Sequence, residues 1–90
     1  MKVKSMKNFR YKITDKVGIH ARPAGMLAKE AKNFESEITI EKDGKKVNVE
    51  RLMQVMGMGI KCGDTIQVTV CGNDEDAALC AMEKFFRDIL

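Results

Sequence analysis

A single proline, Pro23, constrains the fold of this chain more than any other residue. The residues that follow it at the i, i+3, i+4 and i+7 positions of one helical face are Ala24, Leu27, Ala28 and Ala31. A proline fits a helix only in the first turn. It has no N–H group, and the N–H groups of the first turn make no intrahelical hydrogen bond in any case. The spacing therefore predicts a helix from about Ala21 to Asn33, with His20 at or next to its N-cap.

This position gives His20, the one histidine of the chain, an unusual environment. The N–H groups of Ala21 and Arg22 have no partner within the helix, and together with the helix dipole they form an anion-binding site. The same field disfavours a protonated imidazole, so we expect a neutral, nucleophilic His20 near neutral pH. Arg22 adds a fork-shaped donor for phosphate or carboxylate. Gly18, in the preceding loop, gives the backbone freedom and is counted among the phosphate-binding residues.

Taken alone, a histidine at a helix start is more often a capping or loop residue, and an arginine beside it is more often a solvated charge. Here a nucleophile, an anion site and a permanent cation coincide in one helical turn. That combination favours phosphorylation of His20 itself, with Arg22 stabilising the phosphoryl group and the transfer transition state.

Four segments of the chain alternate apolar and polar residues, as half-buried strands do. They centre on Phe9–Ile13, Ile38–Ile40, Val47–Val49 and Thr65–Val70. Asp43 and Gly44 form a two-residue hairpin turn between the second and third strands. Two further helices are predicted, one from Glu50 to Met58 and one capped by Asn73, with Asp76 three residues further on. The buried face of the last helix is predicted to carry Ala78, Met82, Phe85 and Ile89. These elements most simply give an antiparallel sheet with helices on one side.

The segment Gly18–Ala24, with the sequence GIHARPA, resembles the active-site signature of the HPr family. Members of this family are the histidine-containing phosphocarriers of the bacterial phosphoenolpyruvate-dependent sugar phosphotransferase system. The similarity continues through residues 43–48 (DGKKVN) and 53–60 (MQVMGMGI) to the last helix, and it spans nearly the whole chain from about Tyr11. It implies an α+β open-faced β-sandwich in the order β-α-β-β-α-β-α. A four-stranded antiparallel sheet would carry three helices on one face.

The resemblance also implies what the site does. His20 would accept a phosphoryl group at Nδ1 from the phosphohistidine of enzyme I and pass it to sugar-specific IIA domains. Such a chain is a covalent carrier rather than an enzyme with its own turnover. The alternative is an HPr-like regulatory paralogue whose partners sense the phosphorylation state of His20. Related regulators that have lost the active-site histidine are a poor match, because His20 is present.

The second helix has more apolar residues than one buried face can hold. We predict Val55 and Met58 as core residues. The surplus residues, which the resemblance places on the surface that contacts enzyme I and the IIA domains, are Leu52, Met53 and Met56. Flexible methionine side chains suit a surface that accepts several partners. Ala21 and Gly25 of the first helix are assigned to the same partner-binding surface.

One position departs from the family pattern. Many family members from Gram-positive bacteria carry a regulatory serine at the start of the second helix, which an ATP-dependent kinase phosphorylates. This chain has Arg51 at that position, so no regulatory serine is assigned. Arginine cannot accept a phosphoryl group, and its charge is opposite to that of a phosphoserine.

The length and composition limit the remaining possibilities. Ninety residues suit one domain, which we assign to residues 7–90, with residues 1–6 as an N-terminal extension that is natural or left by cloning. The net charge of +3 is too small, and aromatic residues are too few, for a nucleic-acid-binding protein. There is no apolar run long enough to span a membrane. We expect a cytoplasmic monomer without a cofactor.

The three cysteines, Cys62, Cys71 and Cys80, lie nine residues apart, and this spacing suits neither a zinc site nor a disulfide framework. Reduced thiols are typical of a cytosolic protein. We therefore predict no metal site.

Overall fold

The computed structural model describes residues 6–90 of the chain, so residues 1–5 of the predicted N-terminal extension lie outside the described part. The strands are β1 (Lys7–Lys12), β2 (Glu37–Lys42), β3 (Lys45–Asn48) and β4 (Thr65–Cys71). The helices are α1 (Ala21–Ala31), α2 (Leu52–Gly57) and α3 (Glu75–Ile89). This order, β-α-β-β-α-β-α, is the predicted one. None of the helices in residues 6–90 is long and apolar enough to cross a membrane.

The four strands form one antiparallel sheet in the order β1-β4-β2-β3. The register pairs Phe9 with Val68 and Ile40 with both Val68 and Val47, so apolar side chains from neighbouring strands fall on the same face. Asp43 (φ 52°) and Gly44 (φ 81°) turn the β2–β3 hairpin, as predicted. Positive φ at both central residues is what a type I′ turn requires.

The core lies between this apolar face and the helices, and it confirms the predicted open-faced sandwich. The largest fully buried side chains include Leu27, Ile38, Ile40, Ile66, Val68, Met82 and Phe86. Helix α3 packs on β1 and β4. There the Phe86 ring meets the rings of Phe9 and Tyr11 edge-on, with centroids 5.9 and 5.6 Å apart. Edge-to-face pairs of this kind add to the free energy of burial. Helix α1 contacts both α2 and α3, so it lies between them.

The predicted buried face of α3 is wrong in its last two turns. The buried residues are Ala78, Met82, Phe86 and Leu90, whereas Phe85 and Ile89 are only partly buried. Both sets of residues have helical spacing, so periodicity alone does not separate them. The aromatic residues of β1 distinguish the two sets, because Phe86 packs against the rings of Phe9 and Tyr11 and α3 is oriented accordingly.

The predicted cap of α3 is also wrong, because Asp74 and not Asn73 is the N-cap. The Asp74 carboxylate makes no capping hydrogen bond to α3. It accepts instead from the N–H groups of Glu35 and Ser36, each at 2.9 Å, and from the Ser36 hydroxyl at 2.5 Å. Asp74 thus ties the start of α3 to the chain that enters β2. These hydrogen bonds, led by that of Ser36, lower the pKa of Asp74.

The other two helices begin close to the predicted residues but end earlier. Helix α1 ends at Ala31 instead of Asn33, because the N–H groups of Asn33 and Phe34 bond three residues back, to Glu30 and Ala31. Helix α2 begins at Leu52, with Arg51 as its N-cap, instead of at Glu50. Differences of one or two residues at helix ends are ordinary.

Candidate phosphorylation site

The loop between β1 and α1 is held at both ends by distant parts of the chain. At its start, the N–H groups of Thr14 and Asp15 donate to the backbone oxygen of Leu90, at 2.8 and 2.9 Å. The Thr14 hydroxyl donates to the same oxygen at 2.9 Å. At its end, the N–H of Ile19 donates to the carbonyl of Ile60 at 3.0 Å. His20 therefore follows a segment fixed by the end of α3 and by the residues after α2.

Gly18 allows this loop to approach the chain after α2. Its φ is +79°, and a Cβ at this position would lie 2.3 Å from the carbonyl oxygen of Ile60. Gly18 is buried, and its N–H donates to the carbonyl of Asp15 at 3.0 Å. This N–H is thus not available to a phosphate, and the inclusion of Gly18 among the phosphate-binding residues is corrected. Its role is in the packing of the loop.

His20 is the N-cap of α1, as predicted. Its backbone is extended (φ −124°, ψ −168°), and its carbonyl accepts the first helical hydrogen bond, from the Ala24 N–H at 3.0 Å. Pro23 is buried in the first turn, where the sequence places it. The His20 side chain is exposed and makes no capping hydrogen bond, so the imidazole is open to a partner.

Two backbone donors at this helix end are open. Since Pro23 has no N–H and the Ala24 N–H is used, the first turn leaves the N–H groups of Ala21 and Arg22, and neither has an acceptor within residues 6–90. The first turn of α1 contains no acidic residue. The Arg22 side chain is exposed and makes no ion pair in the described part of the chain. Backbone amides, helix dipole and guanidinium together favour an anion beside His20.

A pocket of about 270 Å³ opens at this point, and part of its wall comes from residues that no sequence pattern indicates. His20, Arg22 and Pro23 line one side, and Asp15 and Asp88 bring two carboxylates to it. The Asp15 carboxylate accepts from the Val17 N–H at 2.8 Å. Asp15 and Asp88 lie far apart in sequence, and only the contact of α3 with the loop brings them to one pocket.

The Asp88 carboxylate is engaged by its own helix. It pairs with Lys84 at 2.7 Å, one turn earlier in α3, and this hydrogen bond is the main cause of the lowered pKa of Asp88. Within residues 6–90, no three His, Cys, Asp or Glu side chains are grouped as metal ligands. The arrangement is suited to holding an anion next to an imidazole.

The exposed part of α2 carries the predicted apolar surface. Met53 is 77% exposed and Leu52 is 36% exposed, while Val55 is buried. Met56 and Met58 are both partly buried against the core, so Met58 is less buried than predicted. We call Leu52, Met53 and Met56 the α2 patch. In α1, Ala21 is exposed and Gly25 is half-buried with open space at its Cβ position.

Two further apolar side chains near His20 are exposed and were missed in the sequence. Val17, in the loop before His20, is 65% exposed, and Met26, in α1, is 39% exposed. A single valine in a loop gives no periodic signal, whereas Met26 lies two positions after Ala24 and so falls off the predicted buried stripe of α1.

An open-faced sandwich with an exposed histidine at a helix N-terminus is the arrangement expected of a histidine phosphocarrier, and comparisons with known proteins point to the same class. The family model for the phosphorylation-site component HPr of the phosphotransferase system matches residues 7–88. The phosphocarrier protein HPr of Mycoplasma capricolum subsp. capricolum is 48% identical over 83 residues, covering 92% of this chain and 93% of that protein. A solved structure of a Mycoplasma histidine-containing phosphocarrier protein, also 48% identical, has a TM-score of 0.87 and covers 91% of this chain and 93% of its own.

The chain belongs to the HPr family of phosphocarriers of the phosphotransferase system. It is similar as well to the HPr-like protein Crh of Halalkalibacterium halodurans, with 49% identity over 70 residues, which cover 78% of this chain and 83% of that protein.

Proposed function

We propose that this chain accepts a phosphoryl group on His20 from the phosphohistidine of enzyme I and passes it to sugar-specific IIA domains. One observation carries the proposal. The exposed His20 caps a helix whose first two N–H groups are open, and it shares a pocket with Arg22, whose guanidinium makes no ion pair within residues 6–90. An imidazole so placed can attack a phosphoryl group while the same helix end holds its oxygens.

In the forward step, the lone pair of His20 Nδ1 attacks the phosphorus as the bond from phosphorus to the donor's histidine nitrogen breaks. The phosphoryl group moves without hydrolysis, and the donor imidazole keeps the electron pair of the broken bond. Charge in the transition state spreads over the three equatorial oxygens. The N–H groups of Ala21 and Arg22 and the Arg22 guanidinium are placed to stabilise those oxygens. Transfer onward repeats the step with His20 as the leaving group, so the chain acts as a carrier without its own turnover.

The partners would dock on the surface around this site. We assign the α2 patch, together with Ala21 and Gly25 of α1, to that contact. The support is the exposure of Leu52 and Met53 and the packing of α2 against α1. An apolar patch with flexible methionines can bury itself against enzyme I and against IIA domains in turn.

We further propose that the chain lacks the kinase-controlled regulation of some relatives. Arg51, the N-cap of α2, stands where those proteins carry the regulatory serine, and its side chain is exposed. Residues 7–90 would be the functional domain, monomeric and cytoplasmic, and residues 1–6 an extension. Strand β1 and the family match both begin at residue 7, and no disulfide joins the three cysteines, which all lie in the described range.

A second function has specific support, namely the 49% identity to an HPr-like protein Crh. In that case the chain would be a regulator whose partners sense the phosphorylation state of His20. It would be phosphorylated by enzyme I without passing the group to a sugar IIA domain.

One experiment tests both functions. The protein is incubated with enzyme I and phosphoenolpyruvate, and its mass is measured before and after mild acid treatment. We expect an acid-labile gain of one phosphoryl group in the wild type and none in His20→Ala. Once phosphoenolpyruvate has been removed, adding an excess of a sugar IIA domain should return the carrier to its original mass. No phosphorylation contradicts both functions, and phosphorylation without onward transfer to any IIA domain favours the regulator.

A further inference from the structure

A groove of about 520 Å³ runs between α1 and α3. Met26 from α1 and Ala81, Phe85 and Ile89 from α3 give it an apolar lining. Met26 is 39% exposed, and Phe85 and Ile89 are only partly buried although they pack against the core. The groove therefore leaves apolar surface of both helices open.

The groove is continuous with the His20 pocket. Met26, Asp88 and Ile89 line both concavities. A protein that brings a reacting group to His20 must cover the pocket, and with it the wall formed by Met26 and Ile89. Met26 and Ile89 also line the groove, so a partner that covers the pocket also reaches the groove.

The charges along the groove balance one another. Lys84 pairs with Asp88 at 2.7 Å, and Lys29 is followed by Glu30. Their formal charges cancel, so the groove offers no net attraction to a phosphate or to an acidic chain. Its apolar lining fits an apolar side chain.

We propose that the groove between α1 and α3 receives an apolar side chain of the protein that donates the phosphoryl group to His20. This inference rests on the proposed phosphocarrier function and adds α3 to the contact surface. Because α1 contacts both α2 and α3, the donor would hold the helix of His20 from both sides, at the α2 patch and at the groove.

The test fills the groove without touching His20. Ala81→Arg places a long charged side chain in the groove, and Ala77→Arg makes the same change on α3 at an exposed residue that does not line it. In phosphoryl transfer from enzyme I, we expect Ala81→Arg to raise the KM for the carrier roughly tenfold with kcat unchanged, and Ala77→Arg to match the wild type. Equal KM values for the two variants would overturn the inference.

A measurement without substitution covers the case in which Ala81→Arg folds poorly. Methyl resonances of Met26 and Ala81 are followed by NMR as enzyme I is added to the wild type. We expect them to shift together with that of Met53 in the α2 patch; a shift of Met53 alone overturns the inference. Its failure is distinct from that of the proposed function, because wild-type phosphorylation on His20 is measured separately.

Discussion

At the residue scale, Arg22 is the side chain whose shape should matter as well as its charge. It makes no ion pair in the described part of the chain, so its guanidinium is available to the phosphoryl oxygens. We expect Arg22→Lys to slow phosphoryl transfer roughly tenfold and Arg22→Ala roughly a hundredfold, because lysine keeps the charge but loses the fork of donors. Single-turnover transfer from phosphorylated enzyme I measures this. Equal rates for the two variants would mean that the fork geometry is not used.

Asp74 gives a second residue-scale prediction, in the pH dependence of stability. Its pKa is lowered from 3.8 by hydrogen bonds from Ser36 and Glu35. A carboxyl with a lowered pKa stabilises the folded state above its unfolded pKa, and this contribution is lost as the pH falls through the folded pKa. Asp74→Asn should therefore be less stable at neutral pH and should lose less further stability in acid. Urea midpoints from about pH 7 to about pH 2 test the slope.

Ser36→Ala is the matched control for Asp74→Asn. It removes the Ser36 hydroxyl from the carboxylate but leaves both backbone donors in place. Its acid loss of stability should therefore fall between those of the wild type and Asp74→Asn. Parallel curves for all three proteins would show that Asp74 titrates alike in the folded and unfolded chains.

The sequence predicts residues at the site only where the signal is local. Pro23 and the apolar face after it place His20 at the N-cap of α1 and leave Ala21 and Arg22 with open N–H groups. Asp15 and Asp88 give no such signal, because the contact of α3 with the loop brings them together. Gly18 shows the opposite error. Its neighbourhood favours phosphate binding, but its N–H is taken up within the loop.

At the element scale, the loop before α1 depends on a close backbone approach. A Cβ on Gly18 would meet the Ile60 carbonyl, whereas a Cβ on Gly59, at a similar positive φ, meets nothing within 4 Å. Gly18→Ala should cost about 3 kcal/mol of unfolding free energy and Gly59→Ala about 1 kcal/mol. Chemical denaturation measures both. Equal costs would mean that only the backbone conformation matters and that the loop can move away from Ile60.

In helix α2, one residue is expected to act in docking, and a residue two positions later is expected to act in stability. Met53 is 77% exposed and Val55 is 1% exposed. We expect Met53→Glu to weaken binding of enzyme I roughly tenfold while changing stability by less than about 0.5 kcal/mol. Val55→Ala should cost about 2 kcal/mol of stability. Binding titrations and thermal unfolding decide between the roles, and a large loss of stability in Met53→Glu would assign Met53 to the core.

Helices are the elements in which the sequence-based prediction was least complete. Their existence and order follow from periodicity, but the rotation of α3 does not, because Phe85 and Phe86 both continue an apolar stripe. The rings of Phe9 and Tyr11, more than 70 residues earlier in the chain, select Phe86. The Asp74 cap has a similar cause, since its carboxylate is engaged by Ser36 and not by its own helix.

At the scale of the whole molecule, the fold holds the loop before His20 with hydrogen bonds from two distant parts of the chain. The strand pattern and the hairpin turn at Asp43 predict the sheet, the apolar helix faces predict helices on one side of it, and the family resemblance implies the open-faced sandwich. The sequence does not predict that two distant parts of the chain meet at the loop before His20. These are Leu90, after the end of α3, and Ile60, after α2. Those contacts join residues more than 40 positions from the loop, and only the completed fold creates them.

The central claim is that His20 carries the phosphoryl group. Because the chain has one histidine, its imidazole can be labelled with ¹⁵N and read without ambiguity. After phosphoenolpyruvate and a catalytic amount of enzyme I are added, we expect a ³¹P–¹⁵N coupling at Nδ1 of His20. The coupling should disappear when phosphoenolpyruvate is removed and a IIA domain is supplied in excess. An unchanged imidazole spectrum in a protein that has gained a phosphoryl group would contradict the claim.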